Sequence, residues 1–283
     1  MKVLVTGIQG QLGFDVCKNL HDRNVDYIGV DIQNFDITNR KDTFDAIMAY
    51  TPDAIVHCAA YTAVDKAESS PDLCQAVNVD GTRHIALAAR YLDAKMIYIS
   101  TDYVFDGKGD IPYEVDARIK PLNVYGLSKA RGESEVIKSL KKYFIVRTSW
   151  AFGVNGNNFV KTMMRLGSEN ESLNVVNDQI GSPTYTYDLA QLLCDMLQTK
   201  NYGLYHATNQ GYCSRFEFAK FIMEEADLGC KILPISSCDF PTPAQRPLNS
   251  RLSPVSLDNA GFRRLPPWQD AVKRYITLIR NNA

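Results

Sequence analysis

The chain predicts an α/β fold, a doubly wound parallel sheet that carries a smaller mixed α/β lobe. Three observations lead there. Short β-branched runs alternate with helical segments as far as Trp150, as parallel strands joined by right-handed crossovers require. The first run is followed at once by three glycines that open a helix. Beyond Trp150 the alternation loosens into turn-rich loops and a Pro-rich stretch, with no shift of composition to mark a linker.

Residues 2–6, Lys-Val-Leu-Val-Thr, are a short apolar run that suits a buried strand. Gly7-Ile8-Gln9-Gly10-Gln11-Leu12-Gly13 follows, and a helix runs on to about Leu20. Glycines in that setting give a tight turn, close approach of backbone to a pyrophosphate, and close helix–strand packing. The phosphates then face free N–H groups at the helix start. This is the phosphate loop of a Rossmann-like sheet, and it predicts a dinucleotide. A second strand, Tyr27–Val30, ends at Asp31. An acid about 20 residues after the glycines can accept from the adenosine ribose hydroxyls. It also repels a 2′-phosphate, which leans toward NADH over NADPH. Asp36-Ile37 either frames the adenine or supplies a turn or N-cap before a helix over 39–49.

Residues 53–57 read as a strand, and the small residues Cys58-Ala59-Ala60 after it let backbone reach a cofactor. His57 reads as a core-edge residue. A helix over 71–92, a strand over 96–100, a helix over 125–140 and a strand over 144–148 complete the first half. Ligands of such sheets bind at the carboxyl ends of the strands. The glycine loop, the turn at 58–62 and Thr101-Asp102 therefore share one edge. The second half predicts helices over 159–167, 187–198 and 215–226, the last with Ser214 as N-cap and Glu217 in a capping box. Strands fall at 203–207 and 231–235, and a final helix starts near Pro267. Residues 1–150 predict the dinucleotide-binding domain with help from later segments. Residues 151–283 mainly predict a lobe over its mouth, interleaved in sequence.

Tyr125 and Lys129 are four apart, so on a helix they share one face. A neighbouring ammonium favours phenolate and lowers a Tyr pKa from about 10. The pair also suits an ordinary surface helix, and its surroundings give it weight. Composition narrows the remaining options. Lys+Arg is 31 and Asp+Glu 32, a net charge of -1, which gives no general attraction to nucleic acid or membrane. Seven Cys without C-x-x-C spacing read as reduced residues. Four scattered His argue against a zinc site or a His-based triad. No apolar stretch spans a bilayer and no signal-peptide pattern opens the chain, which predicts a cytoplasmic protein.

The glycine loop with Tyr125-x-x-x-Lys129 resembles the extended short-chain dehydrogenase/reductases. Finer stretches are similar to the dTDP-4-dehydrorhamnose reductase family within them. These are Ala59 to Glu68, Ser100 to Gly107, Pro121 to Gly126, Arg147 to Trp150, Asn177 to Thr184 and Arg246 to Ser250. The resemblance implies reduction of the C4 ketone of dTDP-4-dehydro-L-rhamnose by NADPH or NADH, the last step of dTDP-L-rhamnose synthesis. It implies Tyr125 as general acid, Lys129 as holder of the nicotinamide ribose, and Thr101 as a hydrogen-bond donor to the carbonyl. Gly7, Gly10, Gln11, Leu12, Gly13, Asp31, Asp36, Ile37, Ala59, Ala60, Thr62, Tyr125 and Lys129 match cofactor positions. Thr101, Asp102 and Trp150 match substrate positions, and Arg246 is the candidate for the substrate diphosphate. The alternatives are a core role for Trp150 and a solvated Arg246. Some members bind Mg²⁺ at a dimer interface through acids that include a Glu just after the glycine loop. The shorter Asp15 stands here, so Mg²⁺ stays an open expectation, with monomer and homodimer both allowed.

Two rivals remain at this stage. A nucleotide-sugar epimerase or 4,6-dehydratase shares the glycine loop and the Tyr/Lys pair, but a dehydratase needs a second acid where Tyr103 stands. A non-catalytic subunit similar to the regulatory β subunit of methionine adenosyltransferase would bind a dinucleotide and a partner enzyme. Retention of Thr101, Tyr125, Lys129 and Trp150 together favours the reductase.

Overall fold

The computed structural model describes residues 1–281. Six parallel strands form the central sheet: β1 (Lys2–Thr6), β2 (Asp26–Val30), β3 (Ala54–His57), β4 (Lys95–Thr101), β5 (Tyr143–Thr148) and β6 (Gly203–His206). Their spatial order is β6-β5-β4-β3-β1-β2. The order reverses at β1, where the glycine loop leaves the sheet, and a ligand crevice opens at such a switch point.

The period of two along each strand builds both faces of the core. Val3, Val5, Val56, Ile97 and Val146 face one side and pack on α1 (Gln11–Asp22). Leu4, Ile55, Met96, Tyr98 and Ile145 face the other, against α2 (Arg40–Tyr50), α3 (Thr82–Tyr91) and α4 (Val124–Ser139). Strands buried on both faces explain the unbroken apolar runs in the sequence. α2 is capped by Asn39, whose side chain accepts from Lys41 and Asp42 N–H, so Asp36 is not its cap.

The helix expected over 71–92 is interrupted. Pro71–Gln75 is helical, Ala76–Gly81 forms a π-turn, and α3 follows. Asn78 in the π-turn turns its buried amide to the loop beyond β3: Oδ1 accepts from Tyr61 N–H at 2.8 Å, and Nδ2 donates to Tyr61 C=O at 3.1 Å. Periodicity carries no sign of such a bulge.

The later chain contributes to two places. α6 (Thr186–Leu197) joins α1 on the first sheet face, and β6 extends the sheet beside β5. The rest surrounds a separate aromatic core of Phe152, Tyr185, Phe218, Trp268 and Tyr275. It includes α5 (Phe159–Glu169), α7 (Arg215–Glu225) and α8 (Trp268–Asn281). The capping box of α7 is formed as its sequence predicts. Ser172–Val176 pairs in parallel with Lys231–Ile235. Sequence pattern marks only the second of these strands, because Ser172 and Asn174 interrupt the apolar run of the first.

One ion pair joins sheet, helix and loop. Arg147 on β5 and Glu133 on α4 are 1% and 2% exposed at their side chains and meet at 2.8 Å. Arg147 also donates to Val115 C=O at 2.9 Å, and Ser100 donates to Glu133 at 2.5 Å. Breaking a buried pair from one side leaves an uncompensated charge. Arg147→Met should therefore cost about 3–5 kcal/mol in urea unfolding, with part of it recovered by adding Glu133→Leu. A loss below about 1 kcal/mol would contradict the role given to this pair.

Candidate active site

A cavity of about 770 Å³ opens along the carboxyl edge of the sheet. It runs from the glycine loop, past Asp31, Asp36 and Ile37, to Cys58, Ala59, Ala60 and Thr62. Its far wall holds Thr101, Asp102, Tyr103, Tyr125, Lys129, Trp150 and Arg215. Every cofactor position expected from the sequence lines it, as do Thr101, Asp102 and Trp150. Arg246 does not.

At the dinucleotide end, Gly7 has φ +74°, and a Cβ there would come within 2.7 Å of Ala59 N. Only glycine allows that turn against the next strand's loop. Gly10 stands at the N-cap of α1 without a capping side chain. The first N–H groups of α1 therefore stay open to an anion, and the residues fit a pyrophosphate. Asp31 accepts from Gln9 N–H and Ile32 N–H, each at 2.9 Å. These bonds leave lone pairs for ribose hydroxyls. Asp36 both lines the cavity and accepts from Thr38 N–H at 2.8 Å, so the turn reading of the sequence also holds. His57 lies beneath this floor, bonded to Thr6 at 2.8 Å and Thr82 at 3.2 Å, and burial pushes it down to about 3. It is a neutral support for the loop.

At the chemical end, Asn123 caps α4 by accepting from Gly126 N–H at 2.8 Å. This places Tyr125 in the first turn and Lys129 one turn on, along one face. Lys129 is 3% exposed, and its ammonium rests 4.1 Å from the centre of the Tyr98 ring. Burial pushes it down to about 7, with the Glu133 charge opposing the fall. Tyr125 moves opposite to the sequence expectation. Burial, then the Asp102 charge, hold its phenol well above the usual range, and the Thr101 hydroxyl offsets only part of this. The result is a phenol that keeps its proton at neutral pH and can give it to a base that forms beside it.

Thr101 ends β4 and donates to Asp102 Oδ1 at 2.9 Å. Asp102 Oδ2 and Thr148 Oγ1 are buried on the cavity wall without a well-formed hydrogen bond, although the Ser250 hydroxyl lies near enough to Asp102 to favour its charged form. Buried polar atoms in this state call for a ligand or water. Burial raises Asp102 from 3.8 to about 6.

Trp150 follows β5 with φ +47°, a costly conformation for a bulky residue. Gly181 receives one side of the indole, since a Cβ there would sit 2.8 Å from Cε2. The Arg215 guanidinium lies 3.6 Å from the ring centre. Sequence reasoning missed Arg215, which reads there as an ordinary first-turn residue, and it missed Asn78. Only the approach of the two lobes brings Arg215 to the cavity. Arg246, the sequence candidate for the diphosphate, is paired with Asp65 at 2.6 Å and donates to the Tyr103 hydroxyl at 3.3 Å.

The residues around Asp15 do not fit Mg²⁺. Asp15 is 2% exposed, accepts from Thr186 at 2.5 Å, and is raised to about 6 by burial. The neighbouring Asp188 is occupied by Arg274 at 2.9 and 2.7 Å and by Asn209 at 2.8 Å. A buried acid already taken by Thr186 and a carboxylate already neutralised by Arg274 are poor donors to a hard cation.

The raised Asp102 has a measurable consequence. Between 3.8 and about 6 its folded carboxyl holds a proton that the unfolded chain has released. Stability therefore falls as pH rises through that window. Asp102→Asn should remove this slope, so the variant gains on the natural chain between about pH 4 and pH 7 in urea unfolding. A stability difference that stays constant over this range would contradict a buried, proton-holding Asp102.

The geometry can be set beside known proteins. The family profile described as RmlD substrate binding domain matches residues 1–281. The dTDP-4-dehydrorhamnose reductase of Aggregatibacter actinomycetemcomitans is 40% identical over 286 residues, covering 96% of this chain and 97% of that protein. The crystal structure of a dTDP-4-dehydrorhamnose reductase from Clostridium acetobutylicum has a TM-score of 0.97 at 40% identity, covering 99% of this chain and 100% of that one. The reductase of Bacillus anthracis, solved in complex with NADP, has a TM-score of 0.96 at 43% identity, covering 98% and 99%. With this site and these relatives along its whole length, the chain belongs to the dTDP-4-dehydrorhamnose reductase family.

Proposed function

We propose that the chain reduces the C4 ketone of dTDP-4-dehydro-L-rhamnose to dTDP-L-rhamnose, using NADPH or NADH, as the last step of supply for a rhamnose-containing polysaccharide. It is an oxidoreductase of the dTDP-4-dehydrorhamnose reductase type. One observation carries the reading: a single cavity joins a glycine loop at a helix N-terminus to Thr101, Tyr125, Lys129 and Trp150. When bound, the reduced nicotinamide supplies the hydride.

The chain's own residues do the rest. Lys129, on the cavity floor, holds the nicotinamide ribose. Tyr125 keeps its proton in the desolvated site and gives it to the C4 oxygen as that oxygen gains charge. Thr101 turns its hydroxyl to the same oxygen and stabilises the charge there. Asp102 Oδ2 accepts from a sugar hydroxyl. Trp150 borders the deoxysugar with the part of its indole that lines the cavity, beside the Arg215 that covers one face. Lys129 and Arg215 are the only cations among the described residues of the wall. No guanidinium therefore stands beside Asp31 to take a 2′-phosphate, which favours NADH, although the Bacillus anthracis relative holds NADP.

Oxidation of NADPH or NADH with the 4-keto-6-deoxy nucleotide sugar tests the reaction. Tight dinucleotide binding with no turnover would instead favour a non-catalytic subunit. Tyr125→Phe should lower turnover about 10²-fold or more and leave cofactor binding nearly unchanged. Near-normal turnover in that variant would remove Tyr125 as the acid.

A further inference from the structure

Arg215 is the first residue of α7, and its backbone is fixed by a complete capping box. Ser214 Oγ accepts from Glu217 N–H at 3.0 Å, and the Glu217 carboxylate accepts from Ser214 N–H at 2.7 Å. Its guanidinium lies 3.6 Å from the ring centre of Trp150 and 5.2 Å from that of Phe159. Trp150 cannot give way, because Gly181 backs it. A planar cation stacked on an indole keeps the N–H groups of its edge available for a planar pair of oxygens. Asp102 and Tyr103 act on Arg215 through charge alone, without a hydrogen bond.

The other cations are committed or out of reach. Lys129 is buried on the floor against Tyr98. Arg246 is near enough for its charge to act on Arg215, but it is bound to Asp65. The open N–H groups of α1 serve the cofactor end. A diphosphate that enters beside Trp150 therefore meets one uncommitted guanidinium.

We propose that Arg215 is the residue that recognises the diphosphate of the nucleotide sugar, held in place by its stack on Trp150. This rests on the reading of the substrate as a nucleotide diphosphate sugar. Arg246 has a different task. It ties the Pro-rich loop to Asp65 and backs Tyr103, so its loss weakens diphosphate binding less than loss of Arg215.

The test is calorimetric titration of the full chain with thymidine diphosphate and with thymidine, alongside NADPH binding by fluorescence. The natural chain should bind the diphosphate more tightly than the nucleoside. Arg215→Met should lose about tenfold or more in affinity for thymidine diphosphate, with thymidine and NADPH changed by less than about twofold. Arg215→Lys keeps the charge but loses the fork and the stack, and should fall between the two. It decides the matter if the Met variant no longer binds NADPH. Unchanged thymidine diphosphate affinity in either variant, or an equal loss for nucleoside and diphosphate, overturns the proposal. So does a natural chain that binds both alike, even with turnover present. A natural chain that shows this Arg215 dependence and yet turns over no keto sugar would overturn the reaction and leave the anion site standing.

Discussion

The buried pair of Glu133 and Arg147 is the interaction on which the site's geometry depends. Each partner is next to something the chemistry uses. Glu133 lies one turn beyond Lys129 on α4. Ser100, which donates to Glu133, precedes Thr101. Arg147 leads through Thr148 and Ser149 to Trp150. His206 on β6 accepts from Arg147 at 3.3 Å and is held neutral by burial and by that positive neighbour. Three strands, a helix and the loop through Val115 thus meet at one charged centre. Buried ion pairs contribute little net stability, because desolvation offsets the attraction. What this one contributes is position.

The same burial sets the protonation of the site. Lys129, Tyr125 and Asp102 are all driven toward their neutral forms by loss of water, down for the ammonium and up for the two acids. A simple pairing of Lys129 with Tyr125 would have predicted a lowered phenol. Burial is instead the largest influence on the phenol, and the ammonium rests on the Tyr98 ring. Of the three, Tyr125 is left holding its proton, which suits it to giving that proton to an oxygen that gains charge.

Specific contacts tie the later chain to the first half at several points. Asp65 and Arg246 join the loop after β3 to the Pro-rich segment. Asn123 Nδ2 donates to Gln245 C=O at 2.8 Å, so the residue that caps the helix of Tyr125 also holds that segment. Trp150 bears an unfavourable backbone conformation at the junction, where Gly181 makes room for it. Strain of this kind persists where surrounding packing over-determines it.

By itself the sequence determined the sheet and the edge that carries the site. Apolar runs such as Val3-Leu4-Val5, the glycines at 7, 10 and 13, and the cap at Ser214 act over a few residues, so local physics suffices to read them. The Tyr125 and Lys129 face follows from helical spacing in the same way. Tertiary structure alone decided the rest, because those outcomes depend on groups far apart in the chain. The π-turn forms where Asn78 reaches Tyr61. The phenol of Tyr125 rises because burial and Asp102 outweigh the Thr101 hydroxyl. Arg215 becomes part of the wall, and Arg246 does not, because α7 approaches Trp150 while Asp65 holds Arg246. The pairing of distant residues and the loss of water from single polar groups leave no periodic mark in a sequence, and at this site they govern the charge of each group.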